Sequence, residues 1–267
     1  MSYPVFKARP SKCNNLMAEV KQPIDRYNEL VSEASRLQEL QDKAKNKETK
    51  VYLDRDDKIA TISTEISELE PIKDRKEISK GAKTYVMEWL SDLMYGGVGV
   101  SKVETKYMTK GNEVEDDNIA VYSEFCGFKM SKNEDTYENE WVKGTPDIVL
   151  DDRVVDIKSS WDYTTFPIYA TSVPNKDYYA QLQAYMWLTG KTRATLAYVL
   201  TNTPEELRRS ELDYLDYTQL PLEFRVKEFH VDYDDEFIEK LIKRVEGCQQ
   251  YLNALINQMN WQRYFVD

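Results

Sequence analysis

Apolar residues recur at helical spacing in two polar stretches near the start of the chain. In 24–47 and again in 59–69 they fall on one face, among residues that favour helices. One apolar stripe on each helix predicts a helical arm or hairpin. Such an arm ordinarily serves as a scaffold or as a contact between subunits. A third helix is predicted over 84–95, ended by Gly96-Gly97.

Beyond about residue 120 the pattern changes to short stretches typical of strands, with two further helices. Strands are predicted over 125–130, 140–142, 147–150, 153–159, 194–200 and 224–231, and helices over 175–188 and 235–258. This order predicts one α/β domain with a helical elaboration at its N-terminus. We divide the chain into 1–80, the N-terminal segment and arm, and 81–267, the core with its C-terminal helix.

The composition favours a soluble intracellular protein. Of 267 residues, 41% are hydrophobic, and 19 Tyr with 5 Trp supply ample material for a core. No apolar run approaches the roughly 18 residues that a membrane span needs. The start of the chain also lacks the apolar stretch of a secretory signal. We therefore expect no membrane partner.

Cysteine and histidine are too few for the common transition-metal sites. Three cysteines are widely spaced and odd in number, which argues against a disulfide framework. A single histidine, His230, excludes a multi-His zinc site. Any metal ligands must therefore be carboxylates, which suit Mg²⁺ or Mn²⁺.

The net charge of −11 at first argues against a nucleic-acid protein, which normally carries a basic patch. The acidity is unevenly distributed, however. Residues 1–110 contain 20 Lys plus Arg and 18 Asp plus Glu, a charge of +2, so the remainder carries −13. Any contacts to nucleic acid are therefore expected near the N-terminal portion.

The most informative segment is 144–160, GTPDIVLDDRVVDIKSS. It predicts two short strands joined by a turn at Asp151-Asp152. The period of two places Asp156 and Lys158 on one face of the second strand, and hairpin pairing brings Asp147 beside Asp156. Two such carboxylates repel each other unless a cation lies between them, and hard oxygen ligands select Mg²⁺ or Mn²⁺.

These residues resemble the PD-(D/E)xK nuclease signature, with Asp at the second carboxylate position. The resemblance assigns catalysis to Asp147, Asp156 and Lys158. It implies that the two carboxylates and the backbone carbonyl of Ile157 bind the metal. It also implies the fold: an α/β, restriction-endonuclease-like core with a mixed central sheet flanked by helices, plus the N-terminal helical arm.

Two further segments resemble motifs of lambda-exonuclease-type phage recombination exonucleases. Segment 110–122, KGNEVEDDNIAVY, is similar to their G-x-x-x-E helix, which assigns a catalytic and metal-binding carboxylate to Glu115, with Glu113 as the alternative. Segment 179–189, YAQLQAYMWLT, is similar to the helix after their catalytic strand. Gln181 and Tyr185 share one face of it, where they would orient Lys158, a carboxylate or a DNA phosphate.

The N-terminal segment 6–13, FKARPSKC, resembles the Arg/Ser segment by which these enzymes hold a terminal 5′-phosphate. Arg9 suits a bidentate phosphate contact, and Ser11 can donate a hydrogen bond. Thr145, two residues before Asp147, is a further candidate for substrate binding.

The resemblance implies an Mg²⁺- or Mn²⁺-dependent exonuclease that acts on double-stranded DNA ends, 5′ to 3′, in phage-type recombination or end processing. It further implies a homotrimer, a single-strand annealing protein as partner, and action in the cytoplasm of a bacterial host. An endonuclease or branch-specific nuclease has the same signature and stays open. A non-catalytic DNA-binding or assembly protein is the alternative from another class.

Overall fold

The computed structural model describes residues 4–96, 105–208 and 215–265. Seven α-helices lie within these ranges: α1 Pro23–Asp42, α2 Lys50–Leu69, α3 Lys80–Tyr95, α4 Lys106–Glu113, α5 Glu115–Cys126, α6 Lys176–Thr189 and α7 Asp235–Gln258. Their positions confirm the arm, the third helix and the two later helices. Gly96 ends α3 in the left-handed conformation, and Gly97 lies outside the described residues. No helix in the described ranges is long and apolar enough to span a membrane.

Six strands form two sheets within the described ranges: β1 Tyr137–Glu138, β2 Lys143–Gly144, β3 Ile148–Val149, β4 Val154–Ser159, β5 Arg193–Val199 and β6 Val226–Asp232. The first two form a small antiparallel ribbon. The others form a sheet in the order β3-β4-β5-β6, in which only β4 and β5 are parallel. The sheet is therefore mixed, as predicted.

The central sheet lies between helices because both of its faces are apolar. Val155 of β4 packs with Ile119 and Tyr122 of α5 on one face. Val154 packs with Leu182 of α6 on the other. The alternation of β4 thereby directs Asp156 and Lys158 toward the α6 face.

The N-terminal segment belongs to the largest core cluster. Phe6, Ala8, Cys13 and Leu16 are buried there together with residues of α3, α6 and α7. Ala8 also bonds to the β2 region, since its N–H donates to the carbonyl of Trp141 at 2.8 Å. The segment from Phe6 to Leu16 therefore contributes to the core before the chain leaves to form the arm.

Two strand predictions were wrong or displaced. Segment 125–130 is not a strand: α5 continues to Cys126, and Gly127 ends it at a φ of 77°. A short apolar run fits a buried helix as well as a strand, and here Phe125 packs on the sheet from the helix. In 140–142, only Val142 makes an isolated bridge, with Ala8, and the strand β2 follows it.

Candidate active site

The β3-β4 hairpin brings the two predicted carboxylates together. Ile148 pairs with Val155, so Asp147 lies opposite Asp156 at the end of the ladder. The Asp147 carboxylate turns back and accepts the N–H of Ile157 at 2.8 Å between Oδ2 and N. This bond holds Asp147 against β4, the strand that carries Asp156 and Lys158.

Asp156 is almost fully buried, with 1% of its side chain exposed. Lys158 Nζ lies 2.7 Å from Asp156 Oδ2 and forms an ion pair with it. Neither carboxylate oxygen of Asp156 accepts a hydrogen bond from any described residue. A buried carboxylate in this condition is costly, so the site has unused capacity for a cation.

Burial and electrostatics shift the neighbouring groups in opposite senses. Burial, followed by repulsion from Asp156, raises the pKa of Asp147 to about 7. Burial alone would lower the pKa of Lys158, but attraction to Asp156 and Asp147 outweighs it and holds that pKa above its ordinary value. Lys158 is therefore a protonated ammonium group that donates hydrogen bonds. Asp147 is easily protonated when no cation is near.

A chain of hydrogen bonds leads away from Lys158 across α6. Lys158 Nζ donates to Gln181 Oε1 at 3.3 Å, and Gln181 Nε2 donates to the Tyr185 hydroxyl at 3.2 Å. The Tyr185 hydroxyl donates in turn to the carbonyl of Thr145 at 3.0 Å. Burial raises the pKa of Tyr185 to about 12, so it remains a phenol that can donate. The predicted pair Gln181 and Tyr185 thus orients Lys158 and ties it to the loop before Asp147.

Glu115 starts α5, and its Oε2 accepts from Lys132 Nζ at 2.6 Å. It is close enough to Asp147 to contribute to the raised pKa of that group. Glu113 is exposed at the end of α4, so this electrostatic contact favours Glu115 over it. Nevertheless, in the described ranges no three His, Cys, Asp or Glu side chains converge closely enough to hold a metal ion. The role of Glu115 stays a prediction, as does that of the Ile157 carbonyl.

The donor set fits a hard divalent cation at the two aspartates. The unbonded oxygens of Asp156 and the free lone pairs of Asp147 are the carboxylate ligands that Mg²⁺ and Mn²⁺ prefer. Glu115 is only partly buried, and its partner Lys132 is more exposed still. Exchanging this exposed ion pair for a third metal contact would cost little.

Beside these residues lies a cleft of about 680 Å³ that contains most of the predicted substrate-binding residues. Arg9, Ser11, Thr145 and Tyr185 all line it. The backbone explains this: the Lys143 N–H donates to the carbonyl of Ala8, and a Cβ on Gly144 would lie 2.5 Å from Pro10 Cγ.

The Arg9 guanidinium is available in this cleft. Its nearest acidic partner, Asp92, is 3.9 Å away, and both side chains are more than 60% exposed. An ion pair of that kind contributes little, so the guanidinium can bind an anion.

Two residues near the site were not predicted. Lys110 is 1% exposed and donates to the carbonyls of Ser160, Trp161 and Thr201 at 2.8 to 2.9 Å. It thereby fastens α4, and with it the start of α5, to the ends of β4 and β5. Tyr178 places its ring 4.8 Å from Lys158 Nζ. Neither has a signal in the sequence, since a lysine in a polar helix normally indicates a solvent-facing side.

Comparison with solved structures finds a similar fold in exonucleases. A phage-related exonuclease from Haemophilus somnus 129PT superposes with a TM-score of 0.65 and 24% identity, covering 96% of this chain and 97% of that one. An alkaline exonuclease from Laribacter hongkongensis gives a TM-score of 0.54 and 17% identity over 70% of this chain and 87% of that one. The alkaline enzyme's complex with dAMP gives a TM-score of 0.53 and 18% identity.

The chain has the fold of the phage-related and alkaline exonucleases. This confirms the predicted α/β fold class and, at the level of the fold, the predicted resemblance to phage exonucleases. Neither the protein-family models nor the curated proteins give a significant match to the sequence. Within the exonuclease fold, the candidate site occupies the β3-β4 hairpin and the adjoining face of α6.

Proposed function

We propose that the protein is a Mg²⁺- or Mn²⁺-dependent exonuclease that hydrolyses phosphodiester bonds from the ends of double-stranded DNA, 5′ to 3′. One observation carries the proposal: Asp147, Asp156 and Lys158 cluster on one buried hairpin of a chain with an exonuclease fold. The same proposal includes phage-type recombination or end processing in a bacterial cytoplasm, a single-strand annealing protein as partner, and a homotrimer.

The aspartates and Lys158 would act on the scissile phosphate in different ways. Asp147 and Asp156, with Glu115 and the Ile157 carbonyl, would hold the cation, which when bound activates water and neutralises charge on the phosphate. Lys158 donates from a fixed position set by Asp156 and Gln181, so it orients the attacking water and stabilises the developing oxyanion. Its raised pKa makes it a poor base.

The cleft lined by Arg9, Ser11 and Thr145 is proposed to hold the terminal 5′-phosphate. Guanidinium and hydroxyl donors match phosphate oxygens. The chain of bonds from Thr145 through Tyr185 and Gln181 then couples the phosphate contact to the position of Lys158.

End dependence provides the test of the proposed function. We expect labelled linear duplex to be degraded with Mg²⁺ present, and a covalently closed circle of the same sequence to remain intact. Cleavage of the circle would instead show an endonuclease. No cleavage of either substrate, by folded protein supplied with Mg²⁺ or Mn²⁺, would contradict hydrolysis altogether.

Replacing Arg9 with Gln is expected to reduce the preference for 5′-phosphorylated over 5′-hydroxyl ends by roughly tenfold or more. A hydrogen bond to a charged group contributes about 1.5–3 kcal/mol. The measurement is kcat/KM on the two substrates. Lys12→Gln is the matched control, because Lys12 is an exposed cation three residues after Arg9 but does not line the cleft. An unchanged preference in Arg9→Gln would remove Arg9 from the site.

Cation binding is expected to strengthen as the pH rises through about 7, because Asp147 must lose its proton to act as a ligand. Metal-free stability changes with pH in the opposite direction to cation binding. The folded pKa of Asp147 exceeds its ordinary 3.8, so its contribution to metal-free stability is complete below pH 4 and is lost as the pH rises to about 7.

The pH dependence of cation binding and that of metal-free stability can both be measured against Asp147→Asn, whose side chain does not titrate. Calorimetric titration with Mg²⁺ should show a pH dependence in the wild type that the variant lacks. Thermal unfolding without metal should show a difference between variant and wild type that changes from pH 4 to pH 8. Identical pH profiles for the two proteins would contradict the raised pKa.

A further inference from the structure

The helical arm has its own small apolar core and is fastened along its length. Its buried residues, Leu30, Leu37 and Ile62, pack only with other residues of α1 and α2. Polar bonds join the two helices: Arg26 Nη2 lies 2.7 Å from Glu65 Oε1, and Lys58 Nζ lies 2.5 Å from Glu33 Oε1. The arm is thus a stiff strut of two 20-residue helices, each about 30 Å long.

Charge is sharply segregated along this strut. Residues 23–42 and 51–69, the shaft, carry ten acidic and four basic residues, a net −6. Residues 43–50, the tip, carry four lysines and one glutamate, a net +3. The protein as a whole is at −11, so the tip is a local reversal of sign at the far end of an acidic shaft.

The lysines of the tip are free to bind an anion. Lys45, Lys47 and Lys50 are exposed, and none forms an ion pair with another described residue, whereas Lys43 pairs with Glu39. Three exposed ammonium groups within six residues suit a surface of regularly spaced negative charge, such as the phosphates of a nucleic-acid strand. The acidic shaft would repel the same polyanion, which confines contact to the tip.

We infer that the arm tip is a second DNA-binding site, which contacts backbone phosphates of the duplex at a distance from the active site. The inference rests on the proposed function for the identity of the polyanion. A shaft of about 30 Å corresponds to about nine base pairs at 3.4 Å each. A duplex bound at the active site would therefore have to be long to reach the tip, and a short duplex would not contact it.

The test compares two triple variants at Lys45, Lys47 and Lys50: all three to Gln, and all three to Arg as the charge-conserving control. Both are made in an Asp156→Asn background so that DNA stays intact. Fluorescence anisotropy measures affinity for duplexes of about 8 and about 40 base pairs over a range of salt concentrations.

The Gln variant should bind the long duplex more weakly, with the slope of log K against log salt reduced by up to about 2.7, or about 0.9 per lost contact. The Arg variant should have the same affinity and salt slope as the Asp156→Asn background protein. On the short duplex, the background protein and both triple variants should bind equally. An unchanged slope for the long duplex would overturn the inference. Equal loss on both duplexes would also overturn it, because the effect would then not depend on reach.

A protein partner is the competing occupant, because Leu40, Val51 and Leu53 near the tip are 45%, 66% and 52% exposed. Val51→Ser/Leu53→Ser should leave DNA affinity unchanged. If the Gln variant alters the sedimenting mass but not the DNA slope, the tip contacts protein and the inference fails. These outcomes are separate from the proposed function, because wild type that does not hydrolyse DNA can still lose duplex binding on tip substitution.

Discussion

Replacing Asp156 with Asn is expected to reduce DNA hydrolysis by a factor on the order of 10³ or more while leaving the metal-free fold at least as stable. The loss follows because the amide cannot neutralise a cation or support charge development at the phosphate. Stability is retained because Lys158 keeps Asp147 as a negatively charged neighbour, and loss of the Asp156 charge removes its repulsion of Asp147.

The matched control is Asp152→Asn in the turn of the same hairpin. Asp152 pairs with Arg193 at 2.7 Å, and both side chains are about half exposed. We expect it to change neither hydrolysis nor stability by a large amount. The assignment would fail if Asp156→Asn retained wild-type kcat on linear duplex, or if both variants lost activity equally.

Replacing Lys158 with Met is expected to affect both activity and stability. Asp156 loses the ammonium group that lies 2.7 Å from its Oδ2, and Asp147 loses the attraction of the same group. Removing one partner of a buried pair lowers the free energy of unfolding by about 3–5 kcal/mol. Hydrolysis should fall by about 10² or more, because a charged donor at the reacting phosphate is lost.

A double variant separates the two effects. Lys158→Met/Asp156→Asn should recover most of the lost stability in urea unfolding, since no unpaired charge remains at Asp156. It should recover no hydrolysis. If Lys158→Met alone is as stable as wild type, the lysine does not neutralise the pair. If the double variant is as unstable as the single one, packing rather than charge explains the loss.

The central features of the site were predictable because they are local. The turn at Asp151-Asp152 and the alternation of β4 fix which side chains face α6, and hairpin pairing then determines the partner of Asp156. The helix predicted over about 235–258 is observed as Asp235–Gln258, where an apolar stripe runs along it and the Asp234 side chain caps its start.

The remainder depends on contacts distant in sequence. Arg9 and Thr145 line the same cleft because Ala8 pairs with Val142. No local sequence pattern predicts that pairing. Lys110 is buried because three carbonyls at the ends of two strands need a donor, which its own helix does not reveal. Segment 125–130 had the composition of a strand, but tertiary packing made Phe125 and Cys126 the end of α5, which Gly127 terminates.

The base of the arm has an evolutionary consequence. Gln22 Nε2 donates to the carbonyl of Glu77, and the Glu77 N–H donates to Gln22 Oε1, so the chain leaves and re-enters the body at one point. A segment whose two ends meet in this way can be acquired or discarded as a cassette, because its removal opens no cavity in the main core. The strut can therefore be exchanged or removed without rebuilding the β3-β4 hairpin.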